Sequence, residues 1–133
     1  MKLSHIGIAV PNLDEAIRIF SHLSGEEPEV ITEIKDQKVR AAMFPLEGGG
    51  AIELLMPTDR SSPINGFLDK KGQGLHHLAF RVQNLERTLG ELKEKGYRLI
   101  DETPRIGASG RKIAFVHPKS MSGVLVELEE EAG

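Results

Sequence analysis

The chain is written twice. Residues 5–13, HIGIAVPNL, align with residues 77–85, HLAFRVQNL, at a constant offset of 72 positions. Such a repeat constrains the fold more than any composition, because two copies of one unit must find a common way to bury their apolar faces. Each copy runs on into a helical pattern. Leu13, Ala16, Ile17 and Phe20 recur at i, i+3, i+4 and i+7, and Leu85, Thr88, Leu89 and Leu92 repeat that spacing. Asn12 and Asn84 stand where N-caps belong, with Asp14, Glu15 and Glu86 in the first turns. Gly25 and Gly96 stand where helices end.

After each helix the period falls to two. EVITEI (29–34), VRAAMF (39–44) and AIELLM (51–56) read as strands in the first half, with GGG at 48–50 marking the last turn. YRLID (97–101), KIAFVH (112–117) and VLVELE (124–129) take those roles in the second half, with turns at GASG and KSMSG. Between the halves, residues 57–74 read as a linker with one short helix, capped by Ser62, opened by Pro63 and followed by Gly72. The expected class is α+β: two tandem β-α-β-β-β modules forming a curved eight-stranded mixed sheet with a metal-binding cleft and helices on the outer face. All of 1–133 is expected to be one domain, with module 1 at about 1–57, the linker helix at 58–73 and module 2 at about 74–129. Each module's helix covers one sheet face, so the two bare faces are expected to share a cleft.

Composition removes several function classes. A hydrophobic fraction of 39% and a charged fraction of 28% are those of a soluble globular domain. A net charge of −3 without a basic block points away from nucleic acid and from an anionic membrane. The absence of cysteine excludes disulfides, thiolate metal sites and cysteine nucleophiles together. No apolar run approaches the roughly 20 residues of a membrane helix. The N-terminus lacks a signal-peptide pattern, so a cytoplasmic location is the expectation.

Strand parity then sorts the faces. His76, Leu78, Phe80 and Val82 form a packed face, and His77 lies opposite with Leu75, Ala79 and Arg81. Likewise Ser4, Ile6, Ile8 and Val10 oppose His5, which shares its side with Leu3, Gly7 and Ala9. In the last strands, Glu53 interrupts the aliphatics of the first half, and Glu127, on the same side as Leu125 and Glu129, those of the second. His5 and Glu53 are 48 residues apart, and His77 and Glu127 are 50 apart. A glutamate among aliphatics is either the solvent side of an amphipathic strand or a buried charge that needs a partner or a metal. Two imidazoles and two carboxylates at repeat-related positions favour the metal, a divalent first-row ion with positions open for substrate. His76 is expected to be packed and His22 exposed on its helix, while His117 lies ambiguously at a strand end beside Pro118.

A duplicated unit with these ligands resembles the vicinal oxygen chelate superfamily over essentially the whole chain. The stretches LSHIGIAVPNLDEAIRIF, IELLMPTDRSSPINGFLDKKGQGLHHLAFRV and IGASGRKIAFVHPKSMSGVLVELEE are similar to the methylmalonyl-CoA epimerase family. The resemblance implies metal ligands at His5, Glu53, His77 and Glu127, a cobalt ion in a site that Zn2+, Mn2+ or Ni2+ also suits, and a homodimer. It also implies an acyl-CoA substrate, with (2R)- and (2S)-methylmalonyl-CoA interconverted by removal and return of the C2 proton through a metal-stabilised enolate. Glu127 and Glu53 come from opposite halves; Glu127 is the expected first base, with Glu53 or a metal-bound water as the other. Arg111, Lys112 and Lys119, beside the GASG turn, are expected either to meet CoA phosphates or to form a solvated hairpin. A lactoylglutathione lyase of the same architecture and a metal-free small-molecule-binding protein are the alternatives.

Overall fold

A computed structural model describes residues 1–107 and 109–131. Eight strands and three helices follow one another as β1 (Lys2–Ala9), α1 (Leu13–Ser24), β2 (Val30–Ile34), β3 (Val39–Pro45), β4 (Ala51–Pro57), α2 (Ile64–Lys71), β5 (Gly74–Val82), α3 (Leu85–Glu94), β6 (Arg105–Ile106), β7 (Lys112–Val116) and β8 (Val126–Glu130). The strands form one mixed sheet in the order β2-β3-β4-β1-β5-β8-β7-β6. β1 runs parallel to β4 and β5 parallel to β8, whereas β2, β3 and β4 are antiparallel neighbours, as are β6, β7 and β8. The chain divides into two compact units, Met1–His5 with His77–Gly133, and Ile6–His76.

In the unit Ile6–His76, α1 begins where Asn12 accepts the Glu15 amide at 3.0 Å and ends at Gly25, whose φ of 76° is the left-handed conformation glycine adopts without strain. Its Leu13 and Ala16 bury against Val10, Ala42, Phe44 and Leu54, with Ile8 and Ile52 alongside. Those residues share one parity. The opposite parity, Ala9, Val39, Ala41 and Leu55, is covered by α2 through Ile64, with Phe67 and Leu68 beside it. The module helix α1 thus covers one face as expected, while the linker helix α2 packs on the other face of its unit. Small side chains at Ala9 and Ala41 leave an apolar surface there, and Ile64, Phe67 and Leu68 present one helical stripe to it. α2 starts at Ile64, one residue later than expected, with Pro63 in the cap position and the Ser62 hydroxyl 3.4 Å from the Ile64 amide.

In the unit that contains His77–Gly133, Asn84 caps α3 by accepting the Arg87 amide at 3.0 Å. Leu85 and Leu89 bury against Ala114, Val116, Val126 and Leu128, with Phe80 and Val82 alongside. The expected strand YRLID at 97–101 is corrected: Leu99 makes a single bridge to Val116, and the short β6 lies further on at Arg105–Ile106. The reason is Asp101. Its Oδ2 accepts the Phe115 amide at 2.9 Å, a donor that a strand carbonyl would otherwise take, while the Ile100 and Asp101 amides both donate to the Phe115 carbonyl. The last strand begins at Val126 rather than 124, because Ser122 and Gly123 turn the chain with φ of 56° and 87°.

Candidate metal centre

Three strands deliver three ligand atoms, all belonging to one unit, to one point. β1 supplies His5, β5 supplies His77 and β8 supplies Glu127, at 7%, 5% and 7% exposure. The two Nε2 atoms are 3.0 Å apart, and Glu127 Oε1 lies 3.7 Å from that of His5 and 3.5 Å from that of His77. The rings meet edge to face at 89°, with centroids 5.1 Å apart. Glu127 pairs in register with Ala79 on one side and Phe115 on the other. Ala79 leaves space beside the carboxylate, and the Phe115 ring stands 6.2 Å from the His77 ring.

These residues fit a divalent ion. Ligands at about 2.1 Å from a metal are about 3.0 Å apart when cis at a right angle and about 3.4 Å apart when tetrahedral. The observed 3.0 Å equals the right-angle value, and 3.5 and 3.7 Å lie a few tenths of an ångström beyond the tetrahedral one. Two imidazoles and a carboxylate are a donor set for first-row divalent ions, and all three ligand atoms lie within 4.8 Å of one another.

Glu129, two residues along β8 from Glu127, is equally buried at 6%. Its Oε1 accepts from Arg81 Nε at 3.0 Å, Arg111 Nη1 at 3.3 Å and Ser4 Oγ at 3.3 Å. Ser4 Oγ lies in turn 3.0 Å from His5 Nδ1. The sequence places Glu129 and Arg81 on the faces of Glu127 and His77, but the meeting of Ser4, Arg81 and Arg111 on one oxygen depends on tertiary placement. Arg105 is a second residue that sequence reasoning misses. Its guanidinium lies 5.3 Å from the centroid of the Phe115 ring, and its Nε is 3.5 Å from Asp101 Oδ2.

The remaining expected site residues are placed as follows. Glu53, half-buried, belongs to the other unit, in register with Gly7 on β1 and Met43 on β3. Arg111 is half-buried against Glu129, and Lys112 Nζ lies 3.3 Å from Glu86. Lys119 is exposed on the short 3-10 turn Pro118–Ser120. The GASG turn is fastened by the Gly107 amide on the Arg111 carbonyl at 2.8 Å, while its Ala108 lies outside the described residues. His76 packs edge-on against Phe67 with centroids 4.9 Å apart, and burial holds its imidazole below the ordinary 6.5. His22 is exposed on α1. His117 accepts the Lys119 amide on Nδ1 at 3.1 Å, and desolvation with the charges of Arg98 and Lys119 lowers its pKa. No described helix is long and apolar enough to cross a membrane.

A sequence model of the glyoxalase/bleomycin resistance protein/dioxygenase superfamily matches residues 4–115. The mitochondrial methylmalonyl-CoA epimerase of Dictyostelium discoideum is 40% identical over 131 residues, 98% of this chain and 78% of that one. The chain belongs to the methylmalonyl-CoA epimerase family. A solved methylmalonyl-CoA epimerase from Mycobacterium tuberculosis superposes with a TM-score of 0.90 at 41% identity, over 99% of this chain and 89% of that one. A variant of the Streptomyces coelicolor methylmalonyl-CoA epimerase, solved in complex with 2-nitronate-propionyl-CoA, gives a TM-score of 0.89 at 33% identity over 100% and 99%. Membership of this epimerase family puts the chain among the isomerases.

Proposed function

We propose that the protein interconverts (2R)- and (2S)-methylmalonyl-CoA by moving the proton at C2. The observation that carries this reading is the buried convergence of His5, His77 and Glu127 in a chain of the epimerase family. The C2–H bond lies between a thioester carbonyl and a carboxylate. It resists ionisation because that carboxylate is already an anion. A divalent ion held by His5, His77 and Glu127, with Glu53 as the fourth ligand, would supply positive charge to the oxygens on which an enolate develops. The family resemblance favours Co2+, and Zn2+, Mn2+ and Ni2+ suit the same donor atoms.

Epimerisation needs a proton taken from one face of C2 and a proton delivered to the other. Glu127 takes the first role. The C2–H pair passes into the thioester carbonyl, and the proton goes to the carboxylate. Glu53, from the other repeat, starts the turnover protonated and gives that proton to the opposite face as the enolate electron pair returns to C2, which restores the C–H bond with inverted configuration. Glu127 is then protonated and Glu53 ionised, and exchange with solvent resets the pair, so no net proton is consumed. Lys119 is a cation for the CoA phosphates, and Arg111 keeps guanidinium N–H groups beyond the one directed at Glu129. The same reading extends to a cytoplasmic homodimer.

The acid/base assignment is tested by the rate at which the C2 proton of methylmalonyl-CoA exchanges with deuterated solvent. Glu127→Gln and Glu53→Gln should each slow interconversion by about 10²- to 10⁴-fold, the usual worth of a positioned acid or base. Wild-type exchange in both variants would remove the pair from the mechanism.

A further inference from the structure

We propose that Ser4 and Glu129 are positioning residues that fix the His5 tautomer, so that His5 Nε2 presents a lone pair to the metal. This rests on the metal-site reading above. The position of one hydroxyl proton decides the tautomer. A carboxylate only accepts, and a serine hydroxyl has a single proton to give. Ser4 Oγ donates to Glu129 Oε1 at 3.3 Å, so it meets His5 Nδ1, 3.0 Å away, with a lone pair. Nδ1 therefore carries the ring proton and donates it to Ser4. Nε2 is left as the acceptor, and it is the atom that lies 3.0 Å from His77 Nε2 and 3.7 Å from Glu127 Oε1.

Glu129 is held for this task. Arg81 Nε at 3.0 Å and Arg111 Nη1 at 3.3 Å share the oxygen that Ser4 uses, so the acceptor cannot turn away without leaving two guanidinium groups. Ser4 and Glu129 are 6% exposed, which keeps water from substituting for either partner. Metal-bound histidines commonly donate their other ring N–H to a carboxylate or a carbonyl. Here a serine hydroxyl stands between the imidazole and the carboxylate. Glu129 thus reaches His5 through one relay while Glu127, two residues away, faces the ion.

The test has two readouts on purified protein, neither of them turnover. The first is the nitrogen and proton NMR pattern of the His5 ring in metal-free protein, which distinguishes the two tautomers. The second is the affinity for Co2+ by calorimetric titration. Wild type should show a single Nδ1–H tautomer, and Ser4→Ala should show a mixture and bind Co2+ about 10- to 100-fold more weakly. Ser4→Thr, which keeps the hydroxyl, should restore both. An unchanged His5 tautomer in Ser4→Ala overturns the proposal, and so does a changed tautomer with unchanged affinity. If wild-type protein binds no divalent ion, the metal reading fails by itself, and the tautomer comparison alone decides whether Ser4 governs His5.

Discussion

His5 and His77 raise a proton-counting question. Their Nε2 atoms are 3.0 Å apart, a separation at which two bare lone pairs repel and one N–H must lie between them. With Nδ1 of His5 protonated toward Ser4, the shared proton belongs to His77. A divalent ion needs both lone pairs, so its binding should move the His77 ring proton from Nε2 to Nδ1, a change of tautomer with no net proton release where the imidazoles are neutral. Nitrogen NMR of the His77 ring before and after Zn2+ binding measures this, and an Nδ1–H tautomer already present in the metal-free protein would contradict it. The convergence of His5 and His77 was legible because a repeat pairs them, and period-two parity separates His77 from His76. The partners of those ligands were not. Ser4 sits on the opposite parity from His5, yet its hydroxyl reaches both His5 Nδ1 and a carboxylate 125 residues away. No periodicity encodes that meeting.

At the scale of elements, α1 and α3 follow from the sequence because local rules are sufficient for them. Asn12 and Asn84 both cap in the expected way, each accepting an amide three residues on. The second strand of the later half does not follow, since one side chain decides it. Asp101 takes the Phe115 amide, so 97–101 runs beside β7 with one bridge and no ladder. α2 is the instructive case. As a segment between repeats it reads as a linker, yet it covers the face formed by Ala9, Val39, Ala41 and Leu55. Ile64, 5% exposed, is its buried anchor. Ile64→Ala should therefore cost about 2–5 kcal/mol in urea unfolding, as for other truncations in a packed core. A loss below about 0.5 kcal/mol, typical of surface changes, would mean that α2 is only a tether.

The whole molecule carries a duplicated unit, and duplication explains why so much of it could be read. An apolar face in one copy predicts an apolar face in the other, and a polar exception found twice marks chemistry. What duplication does not tell is how the chain partitions. The break falls inside β1, so that His5 joins His77 and Glu127 in one compact unit while Ile6–His76 forms the other. The candidate metal ligands His5, His77 and Glu127 thus come from both ends of the sequence but from one unit. The proposed function requires that His5, His77, Glu127 and Glu53 support proton transfer at C2 of an acyl-CoA when a divalent ion is present. Proton NMR of (2R)-methylmalonyl-CoA in deuterated water, with metal-free protein and again after Co2+ reconstitution, tests it most directly. Loss of the C2 proton signal together with appearance of the 2S isomer is expected in the reconstituted sample, and neither in the metal-free one. Retention of the C2 proton after reconstitution, with the protein folded and the ion bound, would contradict it.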